Sequence, residues 1–212
     1  MKKNEKFVIT INREVGSGGH TVGRKLAEKL GVKYCDKAVI NGLTQKFGLS
    51  PERIEEIKAE KKTWWHEINN YYQTLVNNAS KPMEAEVTQD SETMFETEKH
   101  ILQELAAQTS CVIAGRTGFM VFRQWPNHLN VFIQASLDHR IKRIMNKRNV
   151  TMDEARQVIE KMDATRETYI KKYEDTTRYD TRNYDLVISM DDLSEDDAAE
   201  IIVDYINRTN TM

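Results

Sequence analysis

The sequence predicts an α/β fold in which three layers, α/β/α, are built around a five-stranded parallel sheet. Short apolar runs rich in β-branched residues, typical of buried strands, alternate with longer segments whose apolar residues recur at helical spacing. With right-handed crossovers, this alternation places parallel strands in one sheet with helices on both faces. The length of 212 residues is enough for one substantial core, so we predict a single domain over residues 1–212.

The first predicted strand and helix enclose a glycine-rich turn. Phe7–Ile11 is apolar and β-branched, and Thr21–Leu30 has apolar residues at helical spacing. Unpaired N–H groups at a helix start and the positive end of the helix dipole favour anions, and glycines let the backbone approach them closely. We therefore predict a nucleotide phosphate site formed by Gly16, Ser17, Gly18, Gly19, His20 and Thr21.

Two other interpretations of this turn stay open at the level of sequence. An ordinary strand-to-helix connection also uses glycines. In addition, Gly16-x-Gly18 is similar to a dinucleotide fingerprint, with Asp36 about the right distance downstream to contact a ribose hydroxyl. Against the dinucleotide interpretation, Thr21 occupies the position of the third glycine.

The rest of the chain supplies the other strands and helices. Asp36, Ser136 and the Thr151-x-x-Glu154 capping box mark three helix starts, and the last of these helices runs to about Tyr173. Asp36 also ends a strand, so it is a candidate cap and a candidate ligand. The further strands are predicted at Val32–Asp36, Cys111–Ala114, Leu129–Ile133 and Tyr184–Ser189, and the other helices at Lys37–Phe47, Pro51–Glu60, Trp64–Val76, around Phe95–Ala106 and after Ser194.

A helical insertion is predicted over about 37–93. Its aromatic Trp64–Val76 stretch favours core packing or a subunit contact over base stacking, and the Trp64–Tyr72 helix is the candidate surface for a homo-oligomer. Asn77–Thr93 is polar and lacks periodicity, which predicts a mobile connection able to close over a substrate.

Arginines accumulate near the carboxyl ends of the predicted strands. Gly115-Arg116 follows the third strand, where a turn and a guanidinium suit an anionic substrate. Asp163 and Arg166 are three residues apart and share a helix face. Phosphoryl transfer requires such groups because charge on the transferring oxygens must be balanced. The group comprises Arg116, Arg140, Arg143 and Arg166, with Arg178 and Arg182 further along the chain.

Composition argues against several classes of protein. A net charge of −2 does not favour nonspecific binding of nucleic acid. No segment resembles a signal peptide or a membrane-spanning helix, so we predict a cytoplasmic protein without a membrane partner. Cys35 and Cys111 each adjoin an apolar strand, which predicts buried thiols rather than a disulfide or a zinc site.

Five short motifs occur in a characteristic order across nearly the whole chain. They are Asn12-Arg13-Glu14-Val15-Gly16-Ser17-Gly18-Gly19, Tyr34-x-Asp36-Lys37, Cys111-Val112-Ile113-x-Gly115-Arg116, Asp163-x-x-Arg166 and Tyr184-Asp185-Leu186-Val187. In this order and spacing, the chain resembles the cytidylate kinase-like proteins of the P-loop nucleoside monophosphate kinase group.

The resemblance implies a P-loop NTPase-like fold, with ATP in the glycine loop, Mg²⁺ bridging its phosphates and a lid over about 150–183. It implies transfer of the γ-phosphoryl of ATP to a nucleoside monophosphate, cytidylate-like, or to a related small anionic acceptor. The candidate residues are Arg13, Asp163 and Arg166 for catalysis; the glycine-loop residues with Arg140 for ATP; Thr21 nearest Mg²⁺; and Asp36, Gly115, Arg116 and Arg143 for the acceptor.

Three features depart from true cytidylate kinases. Gly19 stands where the phosphate loop has its lysine, Thr117 replaces an acid after Gly-Arg, and the aromatic insertion around Trp64–Tyr72 is additional. Arg13, at the end of the first strand, is the candidate substitute for the lysine. We predict a small-molecule kinase, and the alternatives are a noncatalytic nucleotide-binding module and a dinucleotide-dependent oxidoreductase.

Overall fold

The computed structural model describes residues 5–50, 71–72, 92–115 and 117–209. The strands in this part of the chain are β1 (Val8–Arg13), β2 (Lys33–Cys35), β3 (Cys111–Ala114), β4 (His128–Gln134) and β5 (Leu186–Ser189). The helices are α1 (Gly19–Leu30), α2 (Lys37–Phe47), α3 (Glu92–Gln108), α4 (Gly118–Val121), α5 (Leu137–Arg148), α6 (Met152–Tyr173) and α7 (Glu195–Thr209), with a 3-10 turn at Thr181–Asn183.

The five strands form one parallel sheet in the order β2-β3-β1-β4-β5, with β1 at its centre. Ile11 pairs with Ala114 of β3, and Arg13 pairs with Ile133 of β4, so the carboxyl ends of these strands meet at one edge. The predicted α/β class and all five predicted strands are confirmed. The dinucleotide-binding order is 3-2-1-4-5-6, and the different order here argues against the dinucleotide interpretation.

Alternation along β1 explains the three layers. Ile9 and Ile11 point into a core shared with α1 and α7, which includes Val22, Leu26, Ile202 and Ile206. Val8 points to the opposite face and packs with residues of α2 and α3, among them Ile40, Leu43, Leu102 and Leu105. Because successive strand side chains alternate, a strand that is apolar on both sides requires helices on both faces.

Local capping fixes where the helices begin. Asp36 accepts a hydrogen bond from the Val39 N–H (3.1 Å), and Ser136 accepts one from the His139 N–H (3.3 Å). Thr151 and Glu154 form the predicted capping box, and the helix that follows ends at Tyr173 as expected. α1 begins at Gly19, two residues before the predicted start, because the left-handed backbone of Gly18 (φ 88°) ends the turn there.

Parts of the predicted insertion lie outside the described residues. These are the predicted helix at Pro51–Glu60, nearly all of Trp64–Val76, and the connection predicted at Asn77–Thr93 up to residue 91. The predicted end of that connection is wrong, since Thr93 already belongs to α3. Apolar periodicity began only at Phe95, so the sequence pattern missed the first turn.

Tyr72 joins the insertion to the sheet edge. Its hydroxyl accepts a hydrogen bond from the Tyr34 N–H (2.7 Å) and donates one to the Tyr34 carbonyl oxygen (2.5 Å). The ring is buried in the core beside α2 and α3, while Tyr71 packs edge-on against Phe47. The core interpretation is thus confirmed for Tyr72, which also binds backbone groups at the edge of β2.

Cys35 and Cys111 are free, buried thiols, as predicted. Within the described ranges, none of the helices combines the length and apolar character that a membrane crossing requires.

A small polar cluster lies inside the sheet. Thr10 Oγ1 donates to Asn130 Oδ1 (2.7 Å) and lies 2.7 Å from His128 Nε2. Burial lowers the pKa of His128 to about 4, and the charge of nearby Asp185 only partly opposes this effect. His128 is therefore neutral in the folded protein at neutral pH.

We expect the protein to lose stability as the pH falls from about 6.5 to about 4. In this window His128 is protonated in the unfolded chain but neutral in the folded one, so the unfolded state binds the extra proton. The loss attributable to His128 is at most about 3 kcal/mol. Urea unfolding across this range should give a shallower pH dependence for His128→Gln than for the wild-type protein. Equal slopes for His128→Gln and wild type would contradict the assignment.

Candidate active site

A cavity of about 790 Å³ opens at the carboxyl ends of the strands. Its walls come from the end of β1, the glycine loop, the segment after β2, the turn after β3, and one side each of α5 and α6. Ligands of open α/β sheets bind at this edge. Of the predicted site residues, those lining the cavity are Arg13, Gly16, Gly18, Gly19, His20, Thr21, Asp36, Gly115, Arg143 and Arg166.

The glycine loop presents unpaired backbone donors. Gly16 and Gly18 have positive φ angles (85° and 88°), and a Cβ on Gly16 would lie 2.8 Å from the Arg140 carbonyl oxygen. The Ser17 N–H reaches the Glu14 carbonyl oxygen at 3.4 Å, and the Thr21 and Val22 N–H groups reach that of Gly18. Within the described residues, the N–H groups of Gly16, Gly18, Gly19 and His20 have no hydrogen-bond acceptor, which suits a polyphosphate.

The Arg13 side chain runs from the glycine loop to the end of β3. A Cβ on Gly19 would lie 2.6 Å from Arg13 Cβ, and a Cβ on Gly115 would collide with Arg13 Nη1. Arg13 therefore fills the path that a side chain at position 19 would take. No carboxylate of the described residues lies within 4 Å of its guanidinium.

Asp163 holds the beginning of the glycine loop. Its Oδ1 accepts hydrogen bonds from the Val15 N–H (3.1 Å) and from Arg178 Nη2 (2.8 Å), while its Oδ2 accepts one from Arg140 Nη2. Arg140 Nε in turn donates to the Val15 carbonyl oxygen (2.8 Å), and Arg140 Nη1 donates to Glu14 (3.1 Å). Both backbone polar groups of Val15 are thus bound by side chains from α5 and α6.

The arginines near this loop fall into two classes. All three guanidinium nitrogens of Arg140 donate to protein oxygens, and neither Arg140 nor Arg178 lines the cavity. Arg13 and Arg166 do line the cavity, and Arg166 Nη1 donates to the Arg13 carbonyl oxygen (3.2 Å). Burial, reinforced by repulsion from Arg13 and Arg178, lowers the pKa of Arg166 to about 9, and burial also lowers the pKa of Arg13.

Positive charge exceeds negative charge in this cluster. Three carboxylates, those of Glu14, Asp36 and Asp163, lie near four guanidinium groups, those of Arg13, Arg140, Arg166 and Arg178. An uncompensated excess of buried charge is unfavourable, and an anion in the cavity would balance it.

Arg143 lies on the far side of the loop, where its Nη2 is 2.6 Å from Glu195 Oε1 and 3.5 Å from Thr21 Oγ1. The Arg143–Glu195 pair packs against Gly18, since a Cβ there would lie 3.4 Å from Glu195 Oε1. The structure therefore places Arg143 beside the predicted donor phosphates rather than with the acceptor residues Asp36 and Gly115.

His20 connects the glycine loop to Asp36. His20 Nε2 lies 2.7 Å from Asp36 Oδ2, and the imidazole packs edge-on against Tyr34. Burial would raise the pKa of the Asp36 carboxyl, but hydrogen bonds from His20 and the Val39 N–H outweigh it and hold that pKa below its usual value. Asp36 caps α2 while facing the cavity, so its cap role is confirmed and a ligand role remains compatible.

The model of the cytidylate kinase-like family matches residues 8–192. The chain belongs to the cytidylate kinase-like family. The match spans every strand of the sheet and all of the loop, the arginine cluster and the cavity walls described above.

Relatives named cytidylate kinase support this membership. The cytidylate kinase of Sulfolobus acidocaldarius is 25% identical over 208 residues, with 95% of each chain covered. That of Sulfurisphaera tokodaii is 24% identical over 207 residues, covering 95% of this chain and 96% of the relative.

Solved structures share the fold. An uncharacterised protein from Eubacterium ventriosum matches with a TM-score of 0.66 and 24% identity, covering 95% of this chain and 99% of that one. Shikimate kinase from Acinetobacter baumannii, in complex with shikimate, matches with a TM-score of 0.52 and 17% identity, covering 98% and 96%. The cytidylate kinase-like chain therefore has a P-loop kinase-like fold.

Two of the predicted arginines are not part of the observed site. Arg116 is outside the described residues. Arg182 does not join the arginine cluster: its side chain is 88% exposed and pairs with Asp180. Sequence reasoning gave no role to Glu14, which binds Arg140 and the Ala135 N–H, or to Glu195. Glu14 lay within a quoted motif, whereas nothing in the sequence connected Glu195 with Arg143.

Gly115→Ala should disturb the site beyond its effect on the backbone. Alanine at a positive φ costs about 1–2 kcal/mol, and at this position its Cβ would also displace Arg13. Gly48→Ala is the matched control, because Gly48 has φ 56° with no atom within 4 Å of an added Cβ. We expect both variants to lose similar stability in urea, but only Gly115→Ala to weaken tripolyphosphate binding measured by calorimetry. Equal binding by the two variants would contradict the proposed contact.

Proposed function

We propose that this member of the cytidylate kinase-like family transfers the γ-phosphoryl group of ATP to a nucleoside monophosphate, cytidylate-like, or to a related small anionic acceptor. The observation that carries the proposal is the path of the Arg13 side chain from Gly19 to Gly115. Its stem fills the space beside Gly19, where the phosphate loop has a lysine, and its guanidinium lies at Gly115 without a carboxylate partner in the described residues.

The donor polyphosphate is assigned to the glycine loop. The unpaired N–H groups of Gly16, Gly18, Gly19 and His20 would bind its oxygens, as the N-terminus of α1 favours negative charge. We propose that Arg143 joins them by leaving Glu195. Arg140 is reassigned from direct ATP contact to holding Val15, because its guanidinium nitrogens are already bound to protein oxygens.

Mg²⁺ accompanying ATP would neutralise charge on the phosphate oxygens. The described residues contain no group of three or more His, Cys, Asp or Glu side chains able to hold a metal. This composition fits Mg²⁺, which typically binds through substrate phosphates and only one or two protein oxygens. The Thr21 hydroxyl is the protein oxygen that we assign nearest to it.

The acceptor is assigned to the other half of the cavity, beside Asp36 and Gly115, and we propose that Arg116 binds its phosphate. In the transfer, an acceptor oxygen bonds to the γ-phosphorus as the bond to the β–γ bridging oxygen breaks, and ADP leaves. Arg13 and Arg166 would balance charge on the transferring oxygens, while Asp163 orients the loop. We propose that residues 150–183 act as the lid and that the insertion at about 37–93 covers the acceptor.

The direct test is incubation with Mg²⁺-ATP and a panel of nucleoside monophosphates, with ADP formation as the readout. We expect turnover with at least one acceptor, with cytidylate tested first. Saturable ATP binding without ADP formation above background for any acceptor would favour the noncatalytic nucleotide-binding module instead. Absence of both binding and turnover would reject the nucleotide site.

Arg13→Ala should lower kcat by about 100-fold, because the guanidinium is proposed to stabilise charge that develops in the transition state. The dissociation constant for ATP should rise far less than kcat falls, since the backbone donors of the loop remain. Arg13→Lys retains a positive charge and should recover part of kcat. Unchanged turnover in Arg13→Ala would remove Arg13 from the mechanism.

A further inference from the structure

Arg178 is a buried charge that neither the cavity walls nor the proposed chemistry accounts for. Its side chain is 0% exposed, and along the chain it belongs to the segment that connects α6 to β5. Nη2 donates to Asp163 Oδ1 (2.8 Å), and the guanidinium carbon lies 4.9 Å from the centroid of the Tyr179 ring. Its carbonyl oxygen accepts a hydrogen bond from the Tyr184 hydroxyl (2.7 Å), which fixes the backbone at this position.

Two donors of this guanidinium are unsatisfied. Arg178 Nε and Nη1 are both buried and have no hydrogen-bond partner in the described part of the chain. A buried donor without a partner destabilises the folded state, and the effect is larger for a charged group. Packing alone therefore does not explain why an arginine occupies this position.

Charge balance does not require Arg178 either. Without it, the Asp163 carboxylate would still contact Arg140, Arg166 and the Val15 N–H. Removing one partner of an isolated buried ion pair leaves the other charge uncompensated. Here, removing Arg178 would instead reduce the excess of positive charge in the cluster. In the protein without ligand, Arg178 adds to the repulsion among Arg13, Arg166 and itself.

The excess of positive charge becomes favourable when an anion occupies the cavity. Arg178 is bound to the same Asp163 oxygen that accepts the Val15 N–H, so it orients the carboxylate that sets the first residue of the glycine loop. Charge interactions are stronger in a poorly solvated site than at the surface, so a buried guanidinium can attract a polyphosphate without touching it.

We propose that Arg178 is a positioning residue for polyphosphate binding, which orients the glycine loop through Asp163 and contributes attractive charge, and that it lowers the stability of the ligand-free protein. This inference rests on the phosphate site of the proposed function. Its consequence is that affinity and stability change independently, or in opposite directions, when the charge is removed.

The test compares Arg178→Met with Arg182→Met in buffer free of phosphate and sulfate. Methionine replaces the buried stem of Arg178 with an unbranched apolar side chain. Arg182→Met is the matched control because it removes one positive charge from the same segment, at a surface position paired with Asp180. Calorimetry with inorganic tripolyphosphate measures the dissociation constant, and the urea midpoint measures stability.

For Arg178→Met we expect about tenfold weaker tripolyphosphate binding with an unchanged or higher urea midpoint. Arg182→Met should match wild type in both measurements. Arg178→Lys, which restores the charge, should recover most of the affinity.

Several outcomes would overturn the inference. Wild-type affinity in Arg178→Met would exclude a role in binding, and a lower urea midpoint or a failure to fold would assign Arg178 a merely structural role. Equal weakening by Arg182→Met would indicate a nonspecific effect of net charge, and no recovery by Arg178→Lys would exclude charge as the cause. If wild type itself does not bind tripolyphosphate or ATP, the phosphate site of the proposed function fails, a result distinct from all of these.

Discussion

The hydrogen bonds between the Asp163 carboxylate and the start of the glycine loop are the interaction on which the rest of the site depends. A glycine-rich segment has high conformational freedom, and its backbone N–H groups converge on an anion only if the segment is held in place. Here the Val15 N–H is bound by Asp163 and the Val15 carbonyl oxygen by Arg140. The loop is therefore positioned by α5 and α6, elements far from it in sequence.

This support divides the arginines by their function. The guanidinium nitrogens of Arg140 donate hydrogen bonds to Val15, Glu14 and Asp163, so this side chain stabilises the loop. Arg13 and Arg166 reach the cavity and remain available to an anion. A net positive cluster of this kind is unfavourable in the empty site and favourable in the occupied one, and such conflicts between stability and binding are common where function requires them.

The absence of the loop lysine is connected to two glycines. Arg13 can extend from β1 across the loop only because position 19 has no side chain, and its guanidinium fits against β3 only because position 115 has none. Gly19 and Arg13 therefore form one arrangement, in which the positive charge enters from the strand rather than from the helix. The chain keeps the P-loop kinase-like fold of its family, and we propose that Arg13 supplies the charge that a loop lysine would provide.

The sequence by itself determined the fold class, the five strands, the caps at Asp36, Ser136 and Thr151, and the location of the glycine turn, because apolar periodicity and capping are local properties. It also indicated that Asp163 and Arg166 share a helix face.

Only the tertiary structure decided which arginines reach the cavity. Arg140 and Arg143 lie three residues apart on α5, yet one is bound to protein oxygens beneath the loop and the other faces Thr21 and Glu195. Arg178 and Arg182 are four residues apart, yet the side chain of Arg178 is fully buried and that of Arg182 is almost fully exposed. Residue type and spacing cannot show which arginine of such a pair is buried and which contacts the cavity. The outcome depends on contacts with segments more than a hundred residues away or on the packing of a loop against the sheet.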